Sequence, residues 1–207
     1  MVTMKKILFF FILIMLSSCE RDNIITNNSY ILPELTTTGK NTFGCLVDNE
    51  VFIPKASSIY SQTPILVSRY FHIEEPYYSY VPGYYLQIYA IDQKKDRNII
   101  LELTASDIPL SEGQTYQLTS NGINKFSASY HFATYTQDPQ YSNVQNYHSH
   151  DYTTNNEYTG ELTIVKLDEN NQIMSGTFSF YSVNSSDSST KNITSGRFDV
   201  KYLPYPN

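Results

Sequence analysis

"YTGELTIVKLDENNQIMSGTFSFYSVN", residues 158–184, holds two long runs in which apolar and polar side chains alternate, separated by the polar stretch Asp168 to Asn171. A period of two marks a half-buried strand, because successive side chains on a pleated backbone point to opposite sides. Phe178 and Phe180 align on one such side. The Ser-rich "NSSDSST" then returns the chain into "ITSGRFDVKY", residues 193–202, where Phe198, Val200 and Tyr202 alternate. The spacing predicts an antiparallel meander of three strands.

The same pattern runs towards the N-terminus. "TFGCLVD" puts Phe43, Cys45 and Val47 on one face, and "VFIP" follows across Asp48-Asn49, a pair suited to a two-residue hairpin turn. Further strands are expected at residues 65–71, 84–91, 99–104, 115–119 and 126–134. In the last of these Phe126, Ala128, Tyr130 and Phe132 share a face while Ser127, Ser129 and His131 take the other, giving a sheet with one wet side. Only "TASDIPLSEG", residues 104–113, suggests a single helical turn. About ten short strands between turn signals imply one all-β domain, an antiparallel β-sandwich or alternatively a β-barrel, over residues 42–207.

Ahead of that domain, residues 20–41, "ERDNIITNNSYILPELTTTGKN", are polar and broken by Pro33 and Gly39, so residues 19–41 read as a flexible tether. Residues 1–18 have another character: Lys5 and Lys6, an uncharged apolar run from Ile7 to Leu16, then Ser17 and Ser18. Positive start, apolar middle and small-residue exit describe a secretion signal. The apolar run reaches roughly 15 Å as a helix, half of a hydrocarbon core of about 30 Å, which argues against a permanent span.

Leu16-Ser17-Ser18-Cys19 resembles the lipobox of bacterial lipoproteins. That resemblance implies cleavage before Cys19, a diacylglycerol on its thiol and usually an acyl group on the new amino terminus. Each buried methylene contributes about 0.8 kcal/mol, so two or three chains would hold the protein on a membrane. Glu20 and Asp22, split by Arg21, are similar to the acidic surface-export signals of Bacteroidetes-type lipoproteins. The order of "LPELTTTGKNTFGCLVDNEVFIP" near the start and "LDENNQIMSGTFSF … ITSGRFDVKY" at the end resembles a group of small, β-rich lipoproteins of those bacteria. It implies a bacterial cell-envelope protein, an outer-membrane lipoprotein facing the periplasm or the cell surface. No functional residues come with it.

Loss of residues 1–18 removes two lysines and no acid, so the formal charge moves from −6 to −8. Such a surface repels phosphate backbones and anionic lipid heads, which argues against nucleic acid as a partner and leaves membrane attachment to the lipid alone. With Cys19 alkylated, Cys45 has no disulfide partner, and its place between Phe43 and Val47 suits a small core residue better than a nucleophile.

The chemistry-bearing motifs are few. In "YHSHDY" the pair His148 and His150 would share one side of a strand with Asp151 adjoining, and His131 or Glu157 could complete a zinc site. Their neighbours are Asn, Gln, Ser and Thr, so the stretch reads as an exposed loop. "SSTK", residues 188–191, has S-x-x-K spacing but lies in a hairpin loop without companion motifs. "DENNQ", residues 168–172, lacks the central Gly and distal Glu of a calcium loop. There is no phosphate-cradling glycine loop, no H-E-x-x-H and no C-x-x-C, and no catalytic residue is assigned. No cofactor is implied beyond the lipid on Cys19.

Tyrosine is the unusual feature, with nineteen in a chain that has no tryptophan. Many serve as bulk in strands. The stretch "EEPYYSYVPGYY", residues 74–85, is too rich in Pro, Gly and Tyr to be core alone, and an aromatic ring with a polar tip suits a glycan or protein surface. Tyr77, Tyr78, Tyr80, Tyr84 and Tyr85 are therefore the expected contact residues of a binding or structural module. The competing expectation is an envelope hydrolase, with zinc assistance through His148 and His150 as one form of it. A third is a passive part of a surface assembly.

Overall fold

A computed structural model describes residues 31–78, 80–94, 97–137 and 145–205, and among them the chain is all-β with no helix. Eleven strands follow in order: β1 (Thr42–Val47), β2 (Glu50–Phe52), β3 (Leu66–Ile73), β4 (Gly83–Gln93), β5 (Asn98–Ser106), β6 (Thr115–Thr119), β7 (Lys125–Gln137), β8 (Gln145–Thr153), β9 (Gly160–Asp168), β10 (Ile173–Asn184) and β11 (Thr190–Lys201). The C-terminal meander forms as its alternation predicts, with β10 paired antiparallel to both β9 and β11. At the β1–β2 turn, Asp48 and Asn49 take φ of 51° and 70°, the left-handed pair that a tight hairpin needs.

The strands lie in the order β2-β1-β11-β10-β9-β6-β7-β5-β4-β3, with β8 against β7 and touching β10. The architecture is sandwich-like. One half runs from β2 to β6 and the other from β7 to β3, and the backbone pairing between them is confined to a few residues. β6 meets β7 at Leu118 and Thr119 only, in parallel, so the sheet is mixed rather than wholly antiparallel. β8 meets β10 at Thr153 and Tyr152 only. Thr154, just after β8, bolts β6 to β7: its buried hydroxyl accepts the N–H of Ala128 at 2.9 Å and donates to the carbonyl of Thr119.

Inside, the alternating faces meet. Phe43, Phe178, Phe180 and Phe198 from the first half pack with Leu86, Ile88, Leu101, Leu103, Phe126 and Ala128 from the second. Phe178 lies over Gly196, where a Cβ would approach ring carbons to 2.5 Å, so the glycine makes room for the ring across the strand pair. Among the described residues, the pairing of the eleven strands and the core cluster fall within residues 42–202. The body from Ile31 onward thus carries its own hydrogen bonding and apolar core, the requirements for folding alone.

Two sequence expectations need correcting. Residues 104–113 hold no helical turn: after β5 the chain is extended, with Leu110 buried and a turn at Glu112-Gly113. Residues 145–153, expected as an exposed loop, form β8 in a nine-pair ladder with β7. Backbone hydrogen bonds in that ladder do not depend on apolar side chains, so a polar sequence adopts it once β7 offers an edge.

The segment expected as a tether is described from residue 31, and there it lies on the outer face of β1 and β11. Asp199, fully buried, accepts hydrogen bonds from Thr36 Oγ1 (2.5 Å) and from the N–H of Gly39 (2.7 Å), Thr38 (3.1 Å) and Lys40 (3.2 Å). Pro33 covers Gly44, where a Cβ would come to 2.7 Å of its ring.

Candidate functional site

The connection from β3 to β4 carries the tyrosine-rich stretch. Tyr77 and Tyr80 clip it shut: the N–H of Tyr80 donates to the carbonyl of Tyr77 at 2.9 Å, and the reverse bond is 3.2 Å. Tyr78 sits at the tip with φ of 52°, an uncommon conformation for a bulky residue, and is 90% exposed. Its ring meets that of Tyr77 edge-on, with centroids 4.6 Å apart.

Beneath the tip lies an aromatic stack. Tyr80 packs edge-on against Tyr85 at 4.8 Å and against Phe71 at 5.6 Å, while Phe71 and Tyr85 stack across the β3–β4 pair at 5.4 Å. The Tyr85 hydroxyl donates to the carbonyl of Val81 at 2.7 Å and accepts its N–H at 3.1 Å, tying the loop to the strand that follows. Phe71 is buried, so two exposed rings stand on a fixed base. Tyr84, adjacent to Tyr85, points to the other side of β4 by simple alternation. There it contacts His72 at 4.3 Å and stacks on Tyr70 at 6.1 Å, outside the tip cluster. The Tyr70 hydroxyl accepts the N–H of Leu110 at 2.9 Å, and burial pushes its pKa up to about 12.

The β7–β8 ladder distributes the histidines. His148 and His150 share one side, with His150 stacked on Phe132 at 4.5 Å and 3.1 Å from Thr134 Oγ1, and His148 3.1 Å from Thr136 Oγ1. Asp151 takes the opposite side with His131. Ser149 Oγ donates to its Oδ2 at 2.6 Å, and His131 Nδ1 meets Oδ1. The Ser149 hydrogen bond is the main reason the Asp151 carboxyl lies below the usual range; burial opposes it and His131 adds to it. Nucleophilic catalysis needs a serine on the imidazole, with the carboxylate behind it. Here serine and imidazole both address the carboxylate. Glu157 sits in the turn after β8, its N–H on Asn155 Oδ1 at 2.8 Å. Among the described residues no three His, Cys, Asp or Glu side chains converge as metal ligands.

A third location has no counterpart in the sequence reading. A cleft of about 420 Å³ opens where the β1–β2 turn, the β4–β5 connection and the start of β11 meet, with Tyr130 and Phe132 in its wall. Its charges are mostly paired: Lys191 to Asp48 at 2.6 Å and Lys94 to the buried Asp92 at 2.6 Å, while the Arg97 guanidinium lies 5.3 Å from the Phe132 ring centroid. Burial pushes the Tyr130 phenol up to about 12. Only the turn chemistry of Asp48-Asn49 was visible beforehand, because the other members come from distant segments.

Cys45 is buried and free, and desolvation raises its thiol pKa far from nucleophilic character. Cys19 lies outside the described residues. In comparisons with protein-family models, curated proteins and solved structures, nothing matches this chain.

Proposed function

We propose that this is a lipid-anchored envelope protein that binds a glycan through the aromatic tip between β3 and β4. The carrying observation is the exposed pair Tyr77 and Tyr78, held by a backbone clip over Phe71, Tyr80 and Tyr85. Exposed rings fixed in place lose little entropy on contact, and each offers an apolar face with a hydroxyl at its end. Two exposed rings suit a sugar better than a stable protein interface, which buries about 800 Å² on each partner. The anchor reading rests on Lys5, Lys6, the apolar run and Leu16-Ser17-Ser18-Cys19. Tyr84 is assigned a packing role.

The test is a glycan array probed with residues 20–207. Tyr77→Ala/Tyr78→Ala should remove the signal while leaving the melting curve in place. An undiminished signal in that variant refutes the loop, and capture of a protein in place of any glycan refutes the ligand class. For the anchor, Cys19→Ser should abolish acyl labelling and move the protein into the soluble fraction; retention on membranes would contradict it.

A further inference from the structure

The two ends of the sheet approach one another along a seam. At one point the chain after β2 reaches β4, with the N–H of Lys55 on Ile91 O at 3.0 Å and the N–H of Gln93 on Lys55 O at 2.7 Å. At another the chain after β11 reaches β3, with the N–H of Tyr70 on Leu203 O at 3.1 Å and the N–H of Leu203 on Ser68 O at 2.9 Å. Between these two bridges the backbones part, and a pocket of about 660 Å³ opens. Pro54 and Pro64 stand in its wall, and neither has an N–H with which to close the seam.

The lining is mostly apolar: Ile53, Ile65, Leu66 and Leu203 join the two prolines, Ile31 and Pro33 of the leading segment form part of the wall, and Asn41, Thr42 and Ser68 are its neutral polar members. Among the described residues Lys201 is the one charged member of the lining, and it is exposed and makes no ion pair with them. The chain's negative formal charge opposes an anion elsewhere on the surface, but a lone cation at an apolar pocket is a local exception and selects an apolar molecule with one anionic end. Prolines on the seam also disfavour a second copy adding a strand there.

We propose that the seam pocket binds one long-chain fatty acid, its hydrocarbon tail between Ile53, Ile65, Leu66 and Leu203 and its carboxylate on Lys201. The volume falls within the range of about 300–1,000 Å³ usual for small-molecule sites. The site is separate from the tyrosine tip and does not depend on it.

Oleate should saturate residues 20–207 at one per chain, measured by displacement of a fluorescent polyene fatty acid below the micellar range. Lys201→Glu should weaken oleate at least tenfold while leaving oleyl alcohol, of equal length and no charge, within twofold. Ile65→Asp should abolish both. Equal oleate affinity in the wild type and Lys201→Glu overturns the proposal, as does undiminished binding by Ile65→Asp. Binding seen with residues 31–207 but not with residues 20–207 also overturns it, since the chain's own leading segment would then fill the pocket. Should Ile65→Asp fail to fold, the exposed Lys201 comparison decides alone.

Discussion

Asp199 offers a direct test of how the leading segment is fastened to the sandwich. Its carboxylate is fully buried and accepts four hydrogen bonds, from Thr36 Oγ1 and from the N–H groups of Thr38, Gly39 and Lys40. Hydrogen bonds to a charged group contribute about 1.5–3 kcal/mol each in isolation, and four on one carboxylate do not add. Asp199→Asn keeps the shape but turns one acceptor into a donor facing other donors, so a loss of about 2–4 kcal/mol at pH 7 is expected. Urea denaturation of residues 20–207 measures it, and amide exchange at Gly39 and Lys40 should speed up in parallel. Burial pushes the Asp199 carboxyl up, but the Thr36 hydroxyl and the three backbone donors outweigh it and hold the folded pKa below the ordinary value. The unfolded carboxyl titrates near about 3.9, so the contribution is complete above that pH and disappears as pH falls through the folded value. The difference between wild type and Asp199→Asn should therefore shrink in acid. A variant within about 0.5 kcal/mol of wild type at pH 7, with the gap unchanged in acid, would refute the reasoning.

Other outcomes follow from single contacts. Gly39 has φ of 72° and a Cβ there would meet Ile173 and Lys201 side-chain atoms at 3.0 Å, so Gly39→Ala should lower stability by about 1–2 kcal/mol in thermal unfolding. Thr154→Val leaves the buried N–H of Ala128 without its hydroxyl partner and should cost about 1–3 kcal/mol by denaturant titration. Phe178→Ala empties the centre of the aromatic core and should cost about 3–5 kcal/mol by the same method. Cys45, buried and with its thiol pKa raised, should resist a thiol reagent at pH 8 until denaturant unfolds the domain; prompt labelling of the native chain would contradict its burial.

Much of the candidate site was legible. Alternation identified the strands flanking the tyrosine stretch, and the same period of two separates Tyr84 from Tyr85, because neighbours on a strand face apart. Tyr77 and Tyr78 could be read as exposed from their Pro- and Gly-rich setting, yet the stack of Tyr80 and Tyr85 on Phe71 depends on the β3–β4 register. The period of two puts His148 and His150 on one side once residues 145–153 are a strand, and the ladder with β7 sets His131 beside Asp151 on the other.

Local pattern by itself determined the all-β class, the β1–β2 turn at Asp48-Asn49, the meander of β9 to β11 and the inward faces of most strands. Those features are set by neighbours a few residues apart, through side-chain alternation and turn conformation. Only the tertiary structure decided that polar residues 145–153 are a strand, that β6 runs parallel to β7, that Asp199 gathers the leading segment, and that the seam opens beside Lys201. Each of these joins residues far apart in the chain, such as Thr36 and Asp199 or Ser68 and Leu203, and such pairings are chosen by burial and hydrogen-bond satisfaction across the whole fold.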